Sequence, residues 1–331
     1  MTPVAATIQT FFTERLAGQL QASPRTIGSY RDTLRLLLHY TNQQTGKTPS
    51  ALDWEDLNEE LISGFLKHLE TARGNAAKIR NLRLTAIRSL FTFASLRHPE
   101  HAHTIARVLA IPPKRHQQRT ITYLTAPEAA ALINAPDDAR WEGRRDRTLL
   151  TLAIYTGLRV SELTGLDCGD VTLGTGANVR CRLSKGRKQR AVPLITPARG
   201  VLAAWLAERA GRPEDPVFPT RTGRRLSSDA IAQRLSTHAA AAAAITCPSL
   251  NAKHLHPHVL RHSCAMSLLQ AGVDTAVIAL WLGHANVRST DPYIHADMTI
   301  KEKALALVTP PDVKPGRYKP SDELLAFLEG L

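Results

Sequence analysis

The chain has few cysteines, and their spacing fits neither a disulfide scaffold nor a zinc site. Its four cysteines are scattered along 331 residues, and no two of them form a C-x-x-C pair. A small secreted domain held by disulfides is therefore excluded, as is a thiolate zinc centre. A reducing cytosol fits this use of cysteine.

Long apolar runs are also missing. No stretch approaches the roughly 18 uninterrupted apolar residues that a membrane-spanning helix requires. The first residues, MTPVAATIQTFFTERL, lack the basic segment followed by an apolar run that marks a secretory signal. We infer neither secretion nor membrane insertion, and we expect a cytoplasmic protein with no membrane partner.

Acidic residues are too few to balance the basic ones. The chain has 42 Lys and Arg against 29 Asp and Glu, a formal net charge of +13. Such an excess favours polyanionic partners and electrostatically steered association, and nucleic acid is the leading candidate. The length is sufficient for two domains, each with a core of its own.

The first half of the chain is predicted to be helical. From Ala5 to about Leu109, apolar residues recur at spacings of three and four. Ser23 before Pro24 is a predicted helix start, and Gly46 is a predicted stop. Two prolines in IPPKRHQQRTITYLT then end the helical region. We predict a helical domain at residues 1–111 and a basic linker at 112–124. The cations expected to contact DNA here are Lys78, Arg80, Arg83, Arg88, Lys114, Arg115 and Arg119.

The second half, residues 125–308, mixes helices with a short β-hairpin. Thr125 and Glu128 have capping-box spacing, and Gly157 ends a long apolar helix. NVRCRLSKGRKQRAVPL alternates with period two on either side of a glycine turn, which predicts a hairpin. Six basic residues and no acidic one lie between Asn178 and Leu194, more than a protected sheet edge needs. The DNA contacts predicted here are Arg182, Arg187, Lys188 and Arg190.

The last segment, residues 309–331, is broken by prolines and then predicts an amphipathic helix from about Ser321. An apolar helix on such a tether suits docking onto a neighbouring subunit. Packing on its own domain is the alternative reading.

A small set of polar residues is not explained by helix or strand periodicity. It contains two guanidiniums, one ammonium, two imidazoles and a phenol, without a carboxylate cluster to hold a metal. Arginine forks can neutralise charge that grows on a phosphorus, and a cationic site favours the phenolate needed for nucleophilic attack. The pattern therefore favours phosphoryl transfer without a metal ion or other cofactor. The residues are Arg159, Lys185, His258, Arg261, His284 and Tyr293.

These residues resemble the catalytic set of the tyrosine recombinase, or phage integrase, family. The segments that carry the resemblance are TGLRVSEL, the basic hairpin around Lys185, HPHVLRHSCA and LGHANVRSTDPYIH. Their shared order and separations make the combination specific. The first half is similar in size and order to the helical, SAM-like core-binding domain of that family. The implied fold is mainly α with a small β-sheet, a helical N-terminal domain preceding an α+β catalytic domain.

The resemblance implies a role for each residue of the set. Arg159 and Arg261 would bind the scissile phosphate, and Tyr293 would attack it to form a 3′-phosphotyrosyl bond. Lys185 would protonate the departing 5′-oxygen. His258 would act as acid and base near the phenol, and His284 would hydrogen-bond a nonbridging oxygen.

The resemblance also implies a function. It predicts a site-specific recombinase acting on double-stranded DNA as a homotetramer on two sites, in the bacterial nucleoid, with related recombinases as further partners. Integration, excision or transposition of a mobile element is the favoured role, with chromosome-dimer resolution less favoured. Two alternatives remain: a non-cutting accessory protein of the same fold, and a type IB topoisomerase.

Several residues have competing structural readings. Four histidines close together suggest a metal site, but no acidic partner or paired thiol completes one. Glu162 is expected to support the helix after Arg159, and Pro292 to fix how the chain enters Tyr293. The four histidines are His254, His256, His258 and His262.

Overall fold

The computed structural model describes residues 2–115, 121–182 and 189–284, together with Thr290 and Tyr293. The chain divides into two compact units, Met1–Gln118 and Arg119–Leu331. The division falls inside the range predicted for the linker. The predicted tail helix, the turn of the hairpin and most of the segment around Tyr293 lie outside the described residues.

The first unit is helical, as expected. Its core is formed by buried aromatic and aliphatic side chains, among them Phe11, Trp54, Phe65 and Phe91. The helices are α1 (Pro3–Thr10), which continues as a π-helical segment (Phe11–Gln19), α2 (Pro24–Thr45), α3 (Glu59–Thr71), α4 (Ala77–Ser95) and α5 (Ala102–Ala110). Short 3₁₀ turns connect them at Pro49–Ala51, Trp54–Leu57 and Pro99–His101.

The ends of α2 confirm the prediction made from its flanking residues. The Ser23 hydroxyl accepts a hydrogen bond from the amide of Thr26 at 3.1 Å. Gly46 ends the helix in the left-handed region at φ +71°, where glycine has no steric penalty.

The second unit packs helices around a small sheet. Its helices are α6 (Ala126–Asn134), α7 (Trp141–Thr156), α8 (Val160–Thr164), α9 (Thr196–Arg209), α10 (Ser228–Ile245), α11 (Pro257–Gln270) and α12 (Thr275–Leu282). Further 3₁₀ turns lie at Cys168–Asp170 and Pro248–Ala252. The capping box at Thr125 and Glu128 is confirmed, and Gly157 ends α7 at φ +63°.

The sheet is antiparallel and has the order β1-β2-β3, with β1 at Val171–Thr172, β2 at Asn178–Cys181 and β3 at Arg190–Pro193. In the hairpin, Val179 pairs with Val192 and Cys181 with Arg190. Val179, Cys181 and Val192 are buried, so one face covers the core. The hairpin is confirmed, whereas β1 was not predicted.

No helix among the described residues is both long and apolar enough to cross a membrane.

Candidate active site

Three arginines meet at the C-terminal end of α12. This helix stops at Gly283, which turns left-handed at φ +64° and leaves the last carbonyls without partners inside the helix. Guanidinium groups from three other segments supply the missing donors, where the helix dipole also favours positive charge. The pairs are Arg190 Nε to Trp281 O at 3.1 Å, Arg261 Nη2 to Leu282 O at 2.7 Å, and Arg159 Nη2 to Gly283 O at 2.8 Å.

Glu162 holds two of these arginines in place. Its Oε1 accepts from Arg159 Nη1 at 2.9 Å and from Arg190 Nη1 at 2.7 Å. Its Oε2 accepts from the Arg159 amide at 2.8 Å and from Arg190 Nη2 at 2.9 Å. Burial acts to raise the pKa of Glu162, but the hydrogen bonds from Arg190 and the Arg159 amide outweigh it and lower the pKa. Glu162 is therefore a charged support, as expected.

Arg261 is the most deeply placed member of the group. It lies on α11 with 4% of its surface exposed, and its Nη1 donates to Gly157 O at 2.7 Å. Burial, reinforced by the nearby charge of Arg159, lowers the pKa of Arg261 to about 10. The side chain remains cationic at neutral pH.

The arginine group has more positive charge and more N–H donors than its described protein partners use. Among the described residues, three guanidiniums and the carboxylate of Glu162 leave two positive charges. Within the described part of the site, Arg159 and Arg261 each bond two protein oxygens through their Nη atoms, and these bonds do not use Nε–H or the second hydrogen on each Nη. Such a pair of cationic forks suits a phosphodiester, whose nonbridging oxygens accept hydrogen bonds and carry one negative charge.

Tyr293 lies beside this group and is 3% exposed. Its ring is stacked on His284 with centroids 6.4 Å apart, and it is tilted against His262 at 5.6 Å. The hydroxyl forms a 3.1 Å hydrogen bond with His262 Nδ1. Burial raises the pKa of Tyr293, against the charges of Arg261 and Arg159. The resting phenol is therefore protonated.

The remaining members of the predicted set fall into three cases. The His284 Nδ1 lies 3.2 Å from Thr290 Oγ1, and burial, with the charges of Arg261 and Arg159, lowers the His284 pKa to about 4. His258 is exposed, and its ring lies 6.3 Å from that of His262. Lys185 lies outside the described residues. The structure thus brings together Arg159, Arg261, His284 and Tyr293.

The sequence analysis missed the roles of two residues in this group. Arg190 is held by Glu162 and by the end of α12, and His262 contacts the phenol directly. Sequence reasoning placed Arg190 among the DNA contacts and considered His262 only as a metal ligand. A signal for His262 did exist, since it lies four residues after His258 on α11 and shares a helix face with it.

Most of the cations predicted to face DNA in the first unit are engaged within that unit. Arg80 Nη1 donates to Pro112 O at 3.0 Å, Arg83 Nη1 to Thr33 Oγ1 at 2.9 Å, and Arg88 Nη2 to Leu109 O at 2.7 Å. Lys114 pairs with Glu70 at 2.7 Å. Lys78 and Arg115 are exposed, and Arg119 lies outside the described residues. The polar side of α4 is thus largely an internal packing face.

The cations predicted to contact DNA in the second unit also differ in their exposure. Arg182 is half-exposed and pairs with Asp170 and Asp167. Arg190 has a side chain only 11% exposed, with its donors directed at protein oxygens. Arg187 and Lys188 lie outside the described residues.

Among the described residues, no group of three or more His, Cys, Asp or Glu side chains is placed to hold a metal ion. His254, His256, His258 and His262 form a chain of neighbouring rings, at 6.0, 6.2 and 6.3 Å between centroids. Their arrangement in the described part of the chain is a row of imidazoles.

Two family profiles match the chain. The profile of the Phage integrase family matches residues 122–299. The profile of the N-terminal SAM-like domain of phage integrases matches residues 10–98. Together they cover most of both units.

Similar proteins and solved structures agree with the two family profiles. An integrase/recombinase of Sinorhizobium fredii, y4rC, is 47% identical over 99% of this chain and 98% of its own length. The tyrosine recombinase XerC of Xanthomonas campestris is 33% identical over 86% of this chain and 83% of its own. By fold, the chain is similar to the XerH recombinase in a post-cleavage complex with its difH substrate, at a TM-score of 0.70 and 23% identity over 87% of this chain and 81% of that one.

Proposed function

The chain belongs to the tyrosine recombinase (phage integrase) family, and we propose that it cuts and rejoins duplex DNA at specific sites with Tyr293 as the nucleophile. The observation that supports this most is the convergence of Arg159, Arg261 and a buried tyrosine at the end of α12. Transfer of a phosphodiester to tyrosine requires a phenol as nucleophile and cationic groups that can hydrogen-bond the phosphate. Tyr293 and the guanidiniums of Arg159 and Arg261 meet these requirements.

In this proposal, the phosphodiester occupies the free donors of Arg159 and Arg261. The Tyr293 oxygen forms a bond to phosphorus as the bond from phosphorus to the 5′-oxygen breaks. The phenol loses its proton to the imidazole of His258, and the 5′-oxygen gains one from Lys185. His284 hydrogen-bonds a nonbridging oxygen. The 3′-phosphotyrosyl link conserves the bond energy, so a 5′-hydroxyl from another strand can reverse the step without ATP.

The electrostatics favour the charged species of the reaction. Charge grows on the phosphate oxygens as the pentacoordinate phosphorus forms, and the guanidiniums that receive it are fixed to carbonyls before DNA arrives. Preorganised donors need no rearrangement when the charge develops. Glu162 keeps Arg159 oriented without neutralising the group, since two positive charges remain.

We further propose that the substrate belongs to a mobile element and that a homotetramer joins two sites. The support is the similarity over nearly the whole length to y4rC, an integrase/recombinase. A lambda integrase structure of similar fold is a tetramer on a Holliday junction.

Covalent capture tests the activity and finds the substrate together. The protein is expressed beside its native flanking DNA, the cells are lysed in denaturant, and DNA attached to protein is sequenced. We expect adducts at one defined sequence, and Tyr293→Phe to lose them by at least about 1000-fold because the nucleophile is gone.

The same experiment separates the alternatives. Tight DNA binding without adducts, with supercoiled substrate and partner proteins supplied, would instead indicate the non-cutting accessory protein. Adducts spread over many sequences, with relaxation of supercoils by a monomer, would indicate a topoisomerase. Adducts at the ends of a transposable segment would support the mobile-element role, and adducts at a chromosome-dimer site would contradict it.

A further inference from the structure

Tyr293 is packed against one stripe of α11. The apolar part of the stripe consists of Ala265, Met266 and Leu269, which belong with Tyr293 to one buried cluster. His262 lies three residues before Ala265 and four before Met266, so it forms the polar end of the same stripe. The ring of Tyr293 therefore packs against apolar side chains, and its hydroxyl reaches the polar end of that face at His262.

The contact at the polar end is a direct hydrogen bond. The Tyr293 hydroxyl lies 3.1 Å from His262 Nδ1, within the normal range for such a bond. His258, the histidine to which the family resemblance gives the acid–base role, is exposed and stacks on His262 at 6.3 Å between ring centroids. His284 is engaged through Nδ1 with Thr290. In the described part of the site, His262 is thus the imidazole bonded to the nucleophile.

We propose that His262 is a positioning residue whose Nδ1 accepts the hydroxyl proton of Tyr293 in a hydrogen bond and fixes the phenol oxygen beside Arg261. This role rests on the proposed function, because it gives His262 a task in the attack by Tyr293. It concerns the placement of the nucleophile and not the removal of its proton.

The protonation states explain why His262 positions and does not act as the base before DNA binds. Burial, together with His258, His256 and Arg261, lowers the His262 pKa to about 4, so the imidazole is neutral and its ring can accept a hydrogen bond. Burial raises the Tyr293 pKa above its ordinary 10.0. Transfer of the proton from Tyr293 to His262 is therefore disfavoured before DNA binds.

Three variants test the role on the DNA site identified by covalent capture. His262→Ala removes the acceptor, and we expect adduct formation at saturating DNA to slow by about 100-fold, the usual effect of a misplaced reacting group. His262→Asn places an amide oxygen close to the position of Nδ1 but cannot hold a proton. We expect it to stay within about 10-fold of the wild type. His254→Ala, an exposed histidine of the same region, should react like the wild type.

Two readouts separate placement from general damage to the fold. DNA affinity and thermal unfolding should be nearly the same in His262→Asn and the wild type, while the rate of attack at saturating DNA carries the effect in His262→Ala. A wild-type rate in His262→Ala would overturn the proposal. An Asn variant as slow as the Ala variant, with equal DNA affinity, would also overturn it, because only proton transfer would then explain the loss.

A measurement without DNA tests the contact when activity is not observed. In the full-length protein labelled with ¹⁵N at histidine, the Nδ1 resonance of one imidazole should shift in Tyr293→Phe and disappear in His262→Ala. If the wild type forms no adducts but this shift is seen, the proposed recombinase function fails while the contact stands. If adducts form and Tyr293→Phe leaves all imidazole resonances unchanged, the positioning role is wrong.

Discussion

At the scale of single residues, Glu162 determines whether the site is formed. One carboxylate accepts four hydrogen bonds, from the backbone amide of Arg159 and from the guanidiniums of Arg159 and Arg190. Its side chain is only 2% exposed. A charge so far from water is stable only while its partners remain, and the same holds for the arginines it orients.

Glu162→Ala should therefore lower the free energy of unfolding by about 3–5 kcal/mol, the usual cost of removing one member of a buried ion pair. Urea denaturation measures this loss. The control is Glu214→Ala, because Glu214 pairs with Arg212 at 3.3 Å on the surface, where 75% of the arginine and 65% of the glutamate side chain are exposed. A surface pair contributes little, so an equal loss in both variants would contradict the role given to Glu162.

At the scale of elements, α4 shows how a basic helix divides its cations between packing and solvent. Arg80 is 7% exposed and donates to Pro112 O at 3.0 Å, which ties the start of the connector to the helix. Lys78, two residues earlier, is exposed. Lys78 is exposed whereas Arg80 is packed within the unit. We therefore expect Lys78 to contribute to DNA binding and Arg80 to contribute to stability.

Lys78→Ala should weaken DNA binding by a similar factor on all DNA sequences. The slope of the logarithm of the binding constant against the logarithm of salt concentration should become shallower by up to about one, and the free energy of unfolding should not change. Arg80→Ala should chiefly destabilise the first unit, because the carbonyl of Pro112 loses its donor. Fluorescence anisotropy at several salt concentrations and thermal unfolding measure the two effects. The reverse outcome, with Arg80→Ala selectively losing DNA, would show that Arg80 contacts phosphate.

The same elements show what the sequence predicts and what it does not. The start and stop of α2, the capping box at Thr125 and the end of α7 are local features, and each was predicted from a few neighbouring residues. The tie from Arg190 to Glu162 joins positions 28 residues apart, and that from Arg159 to Gly283 spans 124. Such contacts depend on the packing of whole elements, which periodicity does not specify. The recombinase resemblance named the candidate catalytic residues, but not the side chains that hold them.

At the scale of the whole molecule, charge is distributed over two units with separate cores. The excess of 13 positive charges includes arginines whose guanidiniums are bonded to backbone carbonyls of their own unit, such as Arg80 and Arg88. Only the cations left over can replace counterions on DNA. Net charge therefore overstates the number of phosphate contacts.

The salt dependence of binding measures that number. For six to ten phosphate contacts, affinity should fall by about 10³–10⁵ between 50 and 200 mM salt. We expect this protein to lie at the lower end of that range, because of the internal pairing. Binding to the captured site, followed by anisotropy over a salt series, gives the slope directly. A slope corresponding to all of the basic residues of α4 would contradict the internal packing of Arg80, Arg83 and Arg88.

The arginine contacts at the end of α12 also make formation of the candidate site depend on the folding of several segments of the second unit. Its three arginines come from the residue before α8, from β3 and from α11, and their acceptors include Gly157 at the end of α7 and the turn at Gly283. A Cβ at Gly283 would lie 2.9 Å from the Arg190 guanidinium, so even this turn has no room for another side chain. A nascent or damaged chain that lacks any one of these segments cannot assemble the three-arginine group. In the proposed recombinase, strand cleavage would therefore be confined to molecules whose second unit has finished folding.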